Sequence, residues 1–319
     1  MVQAKLVSAK KVSRSSKTAA TKKRSAAKDR VTITHPEREV FPGEGISKQD
    51  VADYYRAVMA QFLPGIQGRP MSVIRCPSGV GEGCFFQKHI IDGLKHTPSA
   101  RLKEESGGSG DYLYPDSAEA VIEMVQFGAI EFHPWGSTVK DSEHATQLIF
   151  DLDPAADVEW PRVVQGARCV RLLLGKLGLT SFVRTTGGKG LHVVVPLKPA
   201  CAWDAVKQFA RSFADTLAKT YPDEFIAVAN KNKRRGLIFL DYLRNARGAT
   251  SIASYSLRAR PGAPVAVPLR WEELGKIKSG AQFDIRSLPK RLARLRKDPW
   301  EGFDKLHQDL SKLSFPEHV

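Results

Sequence analysis

Two aspartates close an apolar run, Gln147-Leu148-Ile149-Phe150-Asp151-Leu152-Asp153-Pro154, that reads as a buried strand. Side chains on a strand alternate faces, so both carboxylates project from one side, roughly 6.5–7 Å apart along the backbone. Two like charges that close call for a cation. Hard oxygen ligands with no Cys or His pair beside them favour Mg²⁺ or Mn²⁺ over zinc. Such a pair can hold one or two divalent ions against a triphosphate, the electrostatic core of phosphoryl transfer. The same residues also fit a strand-end turn, since Asp-Pro commonly starts one, and sugar-nucleotide transferases share the Asp-x-Asp spacing.

Two further segments bear on that choice. Thr185-Thr186-Gly187-Gly188-Lys189-Gly190-Leu191-His192 lies between two predicted strands, where glycines bring backbone amides close to anionic oxygens while Thr186, Lys189 and His192 add donors. It is no Walker A loop, because Gly follows the Lys and a strand follows the loop; a plain hairpin turn is the other reading. Leu237-Ile238-Phe239-Leu240-Asp241 repeats the first pattern, an apolar strand with an acid at its far end. Asp241 on a neighbouring strand completes a three-carboxylate metal site, or else caps the turn at Arg244-Asn245. Beyond it, Arg244, Arg247, Arg258 and Arg260 gather around a strand, and guanidinium groups suit bidentate phosphate contacts.

The elements that must carry these residues read as mixed. Apolar spacing predicts a helix over 47–62, capped by Ser47 with Asp50 at its third position and stopped by Pro64. Strands follow at 70–75 and 83–88, then a loop region over 92–111 whose segment 105–110 is flexible by composition. A helix at 117–127 leads to a strand at 129–132, and the aspartate strand precedes a helix at 160–177 that ends at Gly178. Strands at 181–184 and 191–196 bracket the Gly-rich turn. A helix at 203–221 comes next, then 237–242 and 251–256 as a strand pair, then a mostly helical C-terminal third ending in the basic run 290–297. Strands and helices without regular βαβ alternation predict an α/β fold with antiparallel pairing.

Composition sets the frame. At 319 residues, with 42% apolar and 26% charged side chains, the chain can bury a sizeable core. Its formal net charge of +15 is concentrated: residues 1–30 hold ten Lys/Arg and one Asp. That tail lacks aromatics and reads as flexible, either a loose polyanion-binding arm or a solvated linker, with an organellar transit peptide disfavoured by its scarcity of Arg. No stretch is long and apolar enough for a membrane span. Cys76, Cys84, Cys169 and Cys201 show no metal-ligand spacing and are expected as reduced core residues of a cytoplasmic protein.

Asp151-Leu152-Asp153, then Thr186 to His192, then Asp241 resemble the three motifs of the archaeo-eukaryotic primase superfamily. Within it the chain is most similar to the polymerase domain of bacterial ligase D, the repair enzyme of non-homologous end joining. Outer segments agree over about 31–300. Glu37 to Pro42 and Ser47 to Asp50 resemble the region whose two basic residues recognise a 5′-phosphate, here Arg38 and Lys48. Phe85-Phe86-Gln87-Lys88 resembles the paired-aromatic motif, with Phe86 against the nucleotide and Phe85 and Lys88 toward DNA. Adjacent strand positions would place one ring in the core and leave the other as a stacking platform. Ile130 to His133 resembles the segment whose His, here His133, lies near the incoming nucleotide. Ser254 to Arg258 resembles the strand carrying a triphosphate-binding Arg. The family commonly has Ser where this chain has Thr186.

The resemblance implies a primase-polymerase fold over 31–300, with mostly antiparallel central sheets flanked by helices and 301–319 as an extension. It implies two Mn²⁺ or Mg²⁺ ions held by Asp151, Asp153 and Asp241, with NTP or dNTP as substrate. Thr186, Lys189, His192, Arg244 and Arg258 would balance the triphosphate. It further implies templated and untemplated addition, a preference for ribonucleotides, and gapped or broken DNA bearing a 5′-phosphate as partner. Ku and a ligase domain are its associates, the isolated domain is a monomer, and the location is the bacterial cytoplasm near the nucleoid. The competing readings are a Mn²⁺-dependent glycosyltransferase and a non-catalytic DNA-end-binding module.

Overall fold

The computed structural model describes residues 31–104 and 107–313; the basic tail and Glu105-Ser106 lie outside them. Along the chain the strands are β1 (Glu39–Phe41), β2 (Ile46–Ser47), β3 (Met71–Arg75), β4 (Phe85–Gln87), β5 (Ser99–Lys103), β6 (Ser109–Leu113), β7 (Ala129–Pro134), β8 (His144–Pro154), β9 (Phe182–Thr185), β10 (Leu191–Ala202), β11 (Phe225–Ile226), β12 (Ile238–Asp241) and β13 (Pro268–Leu269). The helices are α1 (Lys48–Ile66), α2 (Ala118–Gln126), α3 (Trp160–Lys176), α4 (Trp203–Thr220) and α5 (Ser287–Leu292).

One six-stranded sheet, in the order β11-β12-β8-β10-β9-β13, carries the acids and the Gly-rich hairpin. All its pairings are antiparallel except β11 with β12. Val193, Val195, Phe150 and Leu152 are fully buried on β10 and β8, which is why these runs are almost continuously apolar. The amphipathic α4 covers the sheet with Phe213, whose ring centroid lies 4.4 Å from that of Phe150. A second sheet is built around β3, which pairs with β4, with β7 and, through Met71 and Leu113, with β6. Tyr55 of α1 ties the two parts of the chain together: its hydroxyl donates to the Ile130 carbonyl at 2.6 Å and accepts from the Leu257 amide at 3.1 Å.

Several expectations are corrected. Ser47 and Asp50 do form a reciprocal capping box, but α1 continues past Pro64 to Ile66. Proline removes only one amide from the last turn, and full burial of Ile66 rewards the continuation. The supposed loop over 92–111 contains β5 and most of the antiparallel partner β6, including Ser109 and Gly110. The segment 251–256 is not a strand; β12 pairs instead with β8 and β11. The described residues of the C-terminal third hold one six-residue helix and short 3₁₀ turns. Gln308 pins this region to the sheet, donating to the Thr180 and Pro196 carbonyls at 3.0 Å each. Two of the four cysteines are not free: the reversal from Cys76 to Cys84 brings their Cα atoms to 4.3 Å and a disulfide joins them. Cys169 and Cys201 are thiols.

Candidate nucleotide pocket

Strand register alone assembles the site. Asp241 of β12 stands opposite Asp151 of β8, Asp151 opposite His192 of β10, and His192 opposite Arg184 of β9. Residues directly opposite share a face, so four consecutive strands present one row: acid, acid, imidazole, guanidinium. Asp153, two residues along β8, faces the same way. Leu152 between the acids is fully buried in the core, which fixes the strand's orientation.

The row opens into a cavity of about 220 Å³ lined by Asp151, Asp153, Asp241, Thr186, Lys189, His192, Arg244 and Arg258, together with His133 and Arg260, all of them singled out in the sequence. The hairpin between β9 and β10 forms one wall. Gly187 has φ +65° and leaves no room for a side chain, since a Cβ would meet Arg258 Cγ at 2.7 Å. Gly190 lies against β8 itself, where a Cβ would come within 2.4 Å of the Leu152 carbonyl oxygen. The Thr186 hydroxyl closes the turn, donating to the Gly190 carbonyl at 3.1 Å and accepting from the Gly188 amide at 3.3 Å.

Each acid meets cations. Asp153 lies 2.9 Å from Arg234 Nη1 and 3.4 Å from Lys189 Nζ; Arg244 Nε is 3.2 Å from Asp241 and 3.7 Å from Asp151. Burial pushes Asp151 up, but His192 and the Arg244 and Arg258 charges outweigh it and leave its carboxyl below the usual range. Burial raises Asp241, and repulsion from Asp151 and Asp153 adds to it against the attraction of Arg244. Among the described residues no three acidic, His or Cys side chains are set to enclose a metal as they stand. The donor types suit a hard cation, and the mutual repulsion that raises Asp241 is what such a cation relieves, while arginine and lysine hold the acids in its place.

His192 is buried and its proton affinity falls to about 4, by burial first and by the Arg184 and Arg244 charges, despite Asp151. Arg184 donates to its Nδ1 from Nε at 3.1 Å and from Nη2 at 3.0 Å, so the ring hydrogen sits on Nε2, 3.5 Å from Asp151. Sequence reasoning missed Arg184, Arg234 and Glu131. Arg184 carried a signal, sitting on the strand that leads into the Gly-rich turn, two residues before Thr186; Arg234 is one of several bases in 231–235 and carried none.

The remaining candidates divide. His133 reaches the pocket with Nε2 2.9 Å from Glu131, and Phe86 meets the His133 ring edge-on at 5.9 Å between centroids. Phe85 and Phe86 are 44% and 50% exposed, correcting the expectation that one ring fills the core. Among the described residues strand β4 pairs only with β3 and offers neither ring an interior. Lys88 lies apart, 3.4 Å from Glu104 and over the Tyr112 ring. Arg247 is also outside the pocket, bonded to Glu143 and the Lys103 carbonyl. Arg38 and Lys48 share a second cavity of about 200 Å³ with Thr34, Pro77 and Gln126. There Lys48 Nζ donates to the Thr34 carbonyl at 3.0 Å and to Gln126 Oε1 at 2.8 Å, and burial, then the Arg38 charge, lowers its pKa to about 8.

Paired antiparallel sheets, an acidic strand row and a Gly-Gly-Lys-Gly hairpin define a primase-like polymerase, a nucleotidyltransferase. Residues 47–300 match the LigD primase-polymerase domain family, and the chain belongs to it. It is 39% identical over 291 residues to the multifunctional non-homologous end joining protein LigD of Pseudomonas aeruginosa, covering 90% of this chain and 34% of that protein. It is 28% identical over 276 residues to the bifunctional LigD of Bacillus subtilis, covering 86% and 44%. The solved polymerase domain of Mycobacterium tuberculosis ligase D in complex with DNA superposes with a TM-score of 0.80 at 32% identity, covering 88% of this chain and all of that one. The chain thus spans about a third of the first of these relatives. Membership sets aside the glycosyltransferase and non-catalytic readings. No helix among the described residues is long and apolar enough to cross a membrane.

Proposed function

We propose that this chain extends the 3′ end of a primer at a DNA break, adding nucleotides with or without a template as part of non-homologous end joining. The observation that carries the proposal is the register row, which sets Asp241 beside Asp151 in one cavity with the hairpin amides and the cations of Lys189, Arg244 and Arg258. Asp151, Asp153 and Asp241 are the residues to hold two divalent ions, Mn²⁺ or Mg²⁺. When bound, such ions supply Lewis acidity at the α-phosphate and ease deprotonation of the attacking hydroxyl.

The chain's own groups do the rest. Thr186, Lys189, Arg244 and Arg258 balance triphosphate charge and align it for in-line displacement. His192, kept neutral chiefly by burial and fixed in tautomer by the Arg184 bonds to Nδ1, presents its Nε2–H as a donor at the pocket. Release of Asp153 from Arg234 and Lys189 accompanies loading of the site.

DNA engages two further places. Arg38 and Lys48 take the 5′-phosphate of a gap or end, and the exposed Phe85 and Phe86 rings, with Lys88 beyond them, meet bases and backbone. Ribonucleotides are the preferred substrates. A ligase domain and the Ku end-binding protein are the expected partners. Single-nucleotide addition on gapped DNA, with ATP against dATP, Mn²⁺ against Mg²⁺ and 5′-phosphate against 5′-hydroxyl, tests each part; absence of addition under every condition would refute it.

A further inference from the structure

Glu131 is buried on β7 and does not itself line the nucleotide pocket, yet two of its three partners do. Its Oε2 lies 2.9 Å from His133 Nε2 and 2.9 Å from Arg258 Nε, while Oε1 accepts from the Ala259 amide at 2.8 Å. Burial raises its carboxyl, but the His133 hydrogen bond and the Arg258 charge outweigh that and hold it near 2. Glu131 is therefore ionised, and an ionised carboxylate only accepts hydrogen bonds. The hydrogen between it and His133 must sit on Nε2.

Burial also lowers the proton affinity of His133, so the ring is neutral and Nδ1 is a bare acceptor. No described residue hydrogen-bonds Nδ1, and it is not sealed from solvent. An acceptor aimed at a nucleotide selects among the nucleotide's donors. Phosphate oxygens accept, so they are not its partner. Base N–H groups differ in position among the four bases, whereas the sugar hydroxyls are common to all and act as donors.

We propose that Glu131 is a positioning residue for sugar recognition. By fixing the hydrogen on Nε2 it presents His133 Nδ1 to a sugar hydroxyl of the incoming nucleotide, and through Arg258 it couples that contact to the triphosphate wall. The inference rests on the nucleotide-pocket reading above.

Single-nucleotide addition with ATP, 2′-deoxyATP and 3′-deoxyATP on gapped DNA tests it, comparing wild type with Glu131→Gln and His133→Phe. The amide of Gln can donate to Nε2 and drive the ring hydrogen to Nδ1, turning the acceptor into a donor. Wild type is expected to favour ATP over the analogue that lacks the hydroxyl read, which identifies that hydroxyl. In Glu131→Gln this preference in kcat/KM shrinks about five- to tenfold, the scale of one hydrogen bond, with the change in KM. His133→Phe loses the same preference and serves if Glu131→Gln folds poorly, as its thermal midpoint would reveal. Equal use of all three nucleotides by wild type, or variants that lose activity uniformly while keeping the preference, would overturn the inference alone. Failure of wild type to add any nucleotide would overturn the pocket reading and this inference with it.

Discussion

Gly190→Ala is the sharpest perturbation of the row that builds the site. A Cβ at this position would sit 2.4 Å from the Leu152 carbonyl oxygen, 3.4 Å from its carbon and 3.7 Å from Asp151 Oδ1. The clashing atom is backbone between the two acids, so no side chain can swing away. Restoring ordinary contact requires β10 and β8 to part by about 1 Å, a misplacement that can cost on the order of 10²-fold in rate when it shifts reacting groups. Overpacking of this kind also costs roughly 1–3 kcal/mol of stability, which leaves a domain of this size folded. Gly188→Ala is the matched control. Its Cβ would meet chiefly the terminal Nη1 of Arg260 at 3.0 Å, the flexible end of a long side chain. Primer extension and thermal melting of both variants give the comparison: Gly190→Ala loses about two orders of magnitude in kcat, Gly188→Ala stays within a few-fold. A folded Gly190→Ala protein with undiminished kcat would show that the hairpin's seat on β8 does not set the geometry of the site.

Lys48, with a pKa lowered to about 8, is charged below that value and neutral above it, so selectivity for 5′-phosphate over 5′-hydroxyl ends should weaken from pH 7 to pH 9.5. A flat selectivity profile in a binding titration would remove Lys48 from the phosphate site. Phe85→Ala and Phe86→Ala remove exposed rings and should change stability by less than about 0.5 kcal/mol, while the ring that stacks on a base weakens DNA or nucleotide binding by about 1–3 kcal/mol. If both variants bind and extend like wild type, the stacking role is wrong. Reduction of the Cys76–Cys84 bridge, which spans a sequence separation of 8, should lower stability by about 2.5 kcal/mol on loop-closure grounds. An unchanged melting temperature with and without dithiothreitol would contradict that.

Much of the candidate pocket was legible in the sequence because its residues end apolar strands, and apolar strands announce themselves. Asp151, Asp153, Asp241 and the hairpin from Thr186 to His192 needed only the rule of alternation and the assumption that the strands are neighbours. What failed lacked such signals. The segment 251–256 looks like a strand by composition, yet its residues are buried as a connection that bonds to β7 through the Ala253 and Ser251 amides. Strands β5 and β6 give no strand signal because Gly and Ser dilute their pattern, and Leu102, Tyr112 and Leu113 are their buried positions. Arg234 and Glu131 were invisible for a different reason. Their significance lies in whom they touch across long sequence separations, Arg234 reaching Asp153 over 81 residues and Glu131 reaching the Ala259 amide over 128.

If Asp151, Asp153 and Asp241 hold the metal against the nucleotide while end recognition is housed elsewhere on the chain, catalysis and end binding separate by mutation. Asp151→Ala assayed for single-nucleotide addition under Mn²⁺ or Mg²⁺ titration, beside its affinity for 5′-phosphorylated gapped DNA, tests it directly. Wild type is expected to require the ion, and the variant to lose at least about 10³-fold in addition, equivalent to about 4 kcal/mol, while binding the DNA as wild type does. Addition by Asp151→Ala at the wild-type rate and with the wild-type metal requirement would contradict it.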